Sequence, residues 1–138
     1  MRILKRYGAW LLCAAALAMV GCANPGNAMR QAVASAAVTV AAGYRTLGIV
    51  DKTQQDKVRS LAKSDPRQAD AMLTTHLQRY DVARKALDAA AALVVTANAA
   101  VPLVDKGTAG ERSVAAWVAD LVAVALAVTK ALAALGVI

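Results

Sequence analysis

The chain has no phenylalanine, one histidine, three prolines and two cysteines among 138 residues, and aromatic side chains make up only 4% of it. Without bulky rings there is little to fill the ~10 Å space between two packed sheets. Alanine, about a quarter of the chain by count, is instead the best helix former and lets helices approach closely. The prolines, Pro25, Pro66 and Pro102, are too few to break long helices and fall where helices should start or stop. His76 stands alone, with no Cys or His at metal-ligand spacing, so no metal site is expected and a packing role is the simpler reading. No nucleophile elbow, phosphate-cradling Gly loop or dinucleotide fingerprint is present. The sequence therefore points away from an enzyme, a cofactor or a small-molecule substrate.

What is present begins with a leader. Arg2, Lys5 and Arg6 precede an uncharged apolar stretch, residues 8–20, shorter than the ~20 residues a membrane-spanning helix needs. A basic start, a short apolar centre and small residues at the end mark a secretory signal. The stretch closes in Met19-Val20-Gly21-Cys22, which resembles the lipobox of bacterial lipoproteins, with Met19 where that family prefers Leu. The resemblance is confined to the first 22 residues. It implies cleavage before Cys22, a diacylglycerol on the Cys22 sulfur and acylation of the new amino group. Residues 1–21 are then a lipoprotein signal peptide. Ala23, rather than Asp, after the cysteine implies the outer membrane, by resemblance to sorting in diderm bacteria, with the protein facing the periplasm. Gly21-Cys22-Ala23 also fits ordinary signal peptidase cleavage after Ala23, which would give a plainly secreted protein.

Cysteine usage agrees with lipidation. Cys13 would leave with the leader, so Cys22 is the only thiol of the mature chain and no internal disulfide can form. A lone exposed thiol in an oxidising compartment is a liability unless capped, and a thioether caps it.

The remainder reads as all-α: a short linker to residue 27, then a single helical domain over 28–138. Asn27 is the expected N-cap of a first helix running to Lys63, with a seam of Met29, Val33, Ala36, Val40, Gly43, Leu47 and Val50 at alternating spacings of three and four. Gly43 and Gly48 weaken it, and Asp51-Lys52-Thr53-Gln54 offers a fresh start, so a bend is expected near residue 48. Ser64-Asp65-Pro66 predicts a tight join, with Asp65 as cap and Pro66 in the first position of the second helix. That helix carries Ala69, Leu73, His76, Tyr80, Ala83, Leu87, Ala90, Val94, Ala97 and Val101 on one seam and is expected to run to about Val101, with Pro102 and Gly107 ending it. Thr108-Ala109-Gly110-Glu111 has capping-box spacing for a third helix ending at Leu135-Gly136. Its expected seam is Val114, Val118, Leu121, Ala125, Val128, Leu132 and Leu135. The result is a small antiparallel bundle of about three helices built on a long hairpin. The third helix is apolar all round, so it is either buried or in lipid. Trp117 would suit a membrane interface, whereas Asp120 would be costly there.

Charge is distributed unevenly. Residues 31–44 and 89–104 carry none, and beyond Ser113 only Asp120 and Lys130 are charged. Between Arg45 and Asp88 lie nine Lys or Arg and six Asp. The expected molecule has an apolar base beside the anchor and a charged tip turning at Ser64-Asp65. Loss of Arg2, Lys5 and Arg6 lowers the net charge from +7 to +4, and the remaining charges are mixed in sign without an aromatic platform, so nucleic acid is not an expected partner. Lys57, Arg59, Lys63, Arg67 and Arg79 give the tip a positive bias and are the expected partner-binding residues. Two function classes follow. One is a lipid-anchored, non-enzymatic envelope adaptor or structural accessory, meeting another envelope protein or its own copies. The other is a small membrane-active protein, lytic or holin-like, that inserts its apolar helices.

Overall fold

The structure, a computed structural model, describes residues 24–108 and 113–136, so the leader, Cys22 and the Ala109–Glu111 part of the expected capping box lie outside it. Three helices account for nearly all of the described residues, and none of these is in a strand. Helix α1 is Pro25–Leu61, α2 is Pro66–Asp105 and α3 is Val114–Ala134.

The helix ends follow from local chemistry. Asn24, not Asn27, caps α1: its side chain accepts from the Asn27 amide at 3.2 Å, and Pro25 occupies the first helical position, where a missing N–H costs nothing. Asp65 caps α2 as expected, accepting from Gln68 N at 3.0 Å with Pro66 behind it. Pro102 does not end α2. The helix continues to Asp105 and closes where Gly107, at φ 67°, takes the left-handed conformation. There the Thr108 amide donates to Leu103 O and the Gly107 amide to Val104 O, the paired bonds of a Schellman stop. Thr108 thus belongs to the end of α2 rather than the start of α3. The cap of α3 is Ser113, which accepts from Ala116 N at 3.2 Å. Helix α1 also runs unbroken through Gly48, without a fresh start at Asp51.

Cross-helix bonds set the register. Arg30 pairs with Asp105, Tyr44 with Asp88 and Asp51 with His76. Residue numbers fall along α2 as they rise along α1, the order of an antiparallel pair. Two core clusters stack along the bundle. The lower holds Met29, Val33 and Ala36 of α1, Ala97 and Val101 of α2, and Trp117 and Leu121 of α3. The upper is built around Val40, Leu47, Ala83, Leu87, Val124 and Val128, and reaches Leu135. The expected seams of α1 and α2 are the buried or half-buried ones. The buried stripe of α3 is rotated: Trp117, Leu121, Val124, Val128, Ala131 and Leu135 face inward, while Val118, Ala125 and Leu132 are only half-buried. Because α3 is apolar on every face, its sequence could not single out the side that α1 and α2 would cover. Trp117 is 8% exposed and packs in the lower core, not at an outer surface.

Side-chain volume decides how closely the helices meet. At Gly43 an added Cβ would stand 2.5 Å from Leu87 Cδ2 and 3.1 Å from Val128 Cγ1, so all three helices converge on a position without a side chain. Leu87 is fully buried and cannot swing away into solvent. At Gly48 nothing lies within 4 Å. Substitutions at these two glycines of one helix therefore have opposite expected signs. Gly43→Val overfills the crossing and lowers stability by about 1–3 kcal/mol. Gly48→Ala removes a flexible residue from a helix interior without a clash and raises it by roughly 0.5–1 kcal/mol. Urea midpoints with unchanged m-values measure both.

Candidate functional site

The tip is where the bundle thins from three helices to two. Leu135, the last buried residue of α3, packs in the cluster that contains Leu47 and Ala83. Beyond that level, among the described residues, only α1 and α2 continue. Within residues 51–79 just two side chains are buried, Ala69 and His76, while Asp51, Gln54, Val58, Leu61 and Leu73 are half-buried along the same seam. So little apolar burial makes the tip the least stabilised part of the fold and leaves its outer faces to charge.

His76 is the tie of this two-helix segment. Its ring is 7% exposed, its Nε2 donates to Asp51 Oδ1 at 2.9 Å, and the Tyr80 ring lies 6.0 Å away at a tilt of 55°. Seam position alone gave the packing role of His76, and the packing is found. The Asp51 partner was not legible, since it depends on how α1 and α2 register around the turn.

The five expected binding residues are all exposed. Lys57, Arg59, Lys63 and Arg67 lie within two turns of the Ser64-Asp65 corner. Helical spacing puts Lys57 and Arg59 on nearly opposite faces of α1, and Lys63 lies in the turn beyond its end at Leu61. Arg79 stands apart: twelve residues beyond Arg67, it is ~18 Å farther along α2, at the root of the tip. The five therefore do not form one patch. Arg59 makes a loose pair with Asp56 at 3.7 Å. Lys57, Lys63, Arg67 and Arg79 make no ion pair with any described residue.

Below the tip, exposed pairs decorate the surface. Lys85 reaches Asp81 at 2.6 Å, and Arg84 approaches Asp88 at 3.9 Å. The Tyr44 hydroxyl donates to Asp88, and this hydrogen bond to a carboxylate, aided by burial and by the Asp88 charge and opposed by Arg84, raises its pKa above the ordinary tyrosine value. At the opposite end Asp105, in the last turn of α2, sits on the wrong end of its own helix dipole. It is compensated by Arg30 and by the first turn of α1, which has no acidic residue of its own. A Cβ at Gly26 would collide with that Asp105 carboxylate. Among the described residues no three His, Cys, Asp or Glu side chains gather as metal ligands would. No family model, curated protein or solved structure matches the chain.

Two outcomes follow from these contacts. His76→Leu keeps an apolar fill but removes the cross-helix bond, at a cost of about 1 kcal/mol. Hydrogen exchange should accelerate at amides of 51–79 and stay unchanged around Val33 and Leu121. Tyr44 carries a raised folded-state pKa, so its bond to Asp88 contributes fully below the unfolded tyrosine value. That contribution is lost as pH rises through the folded one, a window opening at about pH 10. Phenolate absorbance should place Tyr44 above the ordinary tyrosine value, and Asp88→Asn should lower it.

Proposed function

We propose that this chain is an envelope lipoprotein, held at the outer membrane through acylated Cys22, that works without catalysis as an adaptor or structural accessory. The division of the bundle supports this reading: a three-helix base without charge over most of its length carries a two-helix charged tip. The Asn24 cap leaves Ala23 alone between Cys22 and the helix, so a lipid on that cysteine holds the base against the membrane surface. The tip then projects from it, α1 reaching ~21 Å past Leu47 to Leu61. The partner is another envelope protein or further copies of this chain.

Two experiments test the reading. Labelled palmitate fed to cells should enter the protein, and Cys22→Ser should abolish both the labelling and the lipoprotein-type cut. Continued labelling of the Ser variant overturns the anchor. Charge reversal at Lys57, Arg59, Lys63, Arg67 and Arg79 should leave the far-UV spectrum intact, because exposed charges contribute ~0–1 kcal/mol each. It should reduce crosslinking to partners in cells and weaken the salt dependence of association. A folded variant that keeps every crosslinked partner at wild-type yield removes the tip as the contact.

A second reading is favoured by one observation. Each helix contains a stretch long and apolar enough to cross a membrane, and no more than 28% of any such stretch is buried inside the bundle. On this reading the base enters the bilayer, as in a small lytic or holin-like protein. An untagged protein beginning at Asn24 is soluble under the first reading and needs detergent under the second.

A further inference from the structure

The apolar stretches of the three helices are not scattered. Arg30 with Asp105 closes one end of the uncharged spans of α1 and α2, and Tyr44 with Asp88 closes the other. The spans are therefore in register. Helix α3 is aligned with them, since Trp117 packs with Met29 and Val101 while Val128 abuts Gly43. Lys130 then falls near the level of Arg45 and Lys85. The outcome is a belt, residues 31–43, 89–104 and 114–129, with a charged rim on either side. From rim to rim it measures ~22 Å along α1 and ~26 Å along α2 at 1.5 Å per residue.

Apolar side chains face outward on all three helices of the belt, interrupted by the exposed Gln31, Ser35, Thr96 and Asn98. Val38 of α1 is 68% exposed, Val95 of α2 69% and Leu126 of α3 46%. A surface made for one protein partner occupies one face, whereas a solvent touches every face. Three of the four hydroxyls within the belt are satisfied by their own helices, Ser35 being the exception: Thr39 donates to Ser35 O at 3.0 Å, Thr96 to Ala92 O at 2.9 Å and Thr129 to Ala125 O at 2.8 Å. Asp120, its one acidic residue, is half-buried and lines the groove between α2 and α3 beside Ala86 and Leu93. The interior closes on Gly43, Ala36, Ala90 and Ala97, the small residues that pack helices where lipid removes the hydrophobic drive. The rim-to-rim height is close to the ~25 Å apolar band of outer-membrane proteins and short of the ~30 Å of a typical bilayer.

We propose that this belt is the surface that meets the hydrocarbon of a lipid bilayer, with the two charged rims at its two interfaces and the tip in water. The proposal rests on the membrane-inserting reading and adds to it which surface meets lipid and how deep it sits. It does not depend on acylation of Cys22. The basic residues of the upper rim, Arg45, Arg84, Lys85 and Lys130, suit anionic headgroups.

The test is photocrosslinking of the full chain in phosphatidylethanolamine/phosphatidylglycerol vesicles that contain a phospholipid with a diazirine in its acyl chain, followed by peptide mapping. Crosslinks should fall on belt peptides of all three helices, including those with Val38, Val95 and Leu126, at about tenfold or more the yield on 51–79. Crosslinks on one face only, or on the tip, overturn the belt while leaving insertion standing. Crosslinks confined to the neighbourhood of Cys22, or none, overturn both. The combined variant Val38→Asp, Val95→Asp, Leu126→Asp alters only exposed positions and should keep its helical spectrum while losing about tenfold in belt yield. Ile49→Asp with Leu77→Asp, exposed outside the belt, should lose nothing. A folded belt variant with wild-type yield also overturns the proposal.

Discussion

Side chains from two helices meet the bare backbone of a third at Gly43, where α1 offers no side chain and Leu87 and Val128 occupy the space a Cβ would take. That approach constrains the rest of the base. Helices that meet so closely cannot hold large residues at neighbouring crossings, and Ala36, Ala83, Ala90 and Ala97 keep the same spacing above and below. Core energy then comes from a few larger side chains between the small ones. Met29 and Leu87 are fully buried, each contributing about 1.5–3 kcal/mol relative to exposure. The abundance of alanine and the lack of phenylalanine are two sides of one packing solution.

How much of this was legible depended on whether a helix has a preferred face. Helices α1 and α2 alternate small or apolar seam residues with charge over much of their length, and their seams were read correctly, down to His76. The Asp65-Pro66 corner was equally readable, because cap and proline are local signals. Helix α3 offered no polar face, and its stripe was misread by one residue in every other turn, Val118 for Trp117 and Ala125 for Val124. Competing local signals explain the end errors. Asn24 and Asn27 both suit a cap, and Pro25 decides between them by favouring the first helical position. Pro102 looks like a stop, yet the helix carries it to Asp105 without the i→i−4 bond its nitrogen cannot donate to Asn98 O, and Gly107 supplies the close.

For the candidate site, residue types were legible and their arrangement was not. Exposure of Lys57, Arg59, Lys63, Arg67 and Arg79 follows from the seam, since none lies on it. Their dispersal follows from helical geometry, which separates Lys57 from Arg59 around the axis and Arg79 from the others along it. The pairs that tie α1 to α2 are long-range and appear only once the register of the hairpin is fixed. Counting outward from the turn approximates that register and would have brought Asp51 near His76.

The unbroken course of α1 and α2 has a mechanical consequence. At 37 and 40 residues they extend ~56 and ~60 Å, while α3, at 21 residues, extends ~32 Å and braces only the lower part. Helix α1 is continuous through Gly48, between the braced part and the free part. A continuous helix passes bending along its length rather than absorbing it at a joint. A sideways load at the Ser64-Asp65 corner therefore acts with the leverage of the whole tip on the level where the brace ends, around Leu47, Ala83 and Leu135. The molecule is a pair of stiff rods clamped at one end, and motion imposed at the corner is delivered as torque to the clamp.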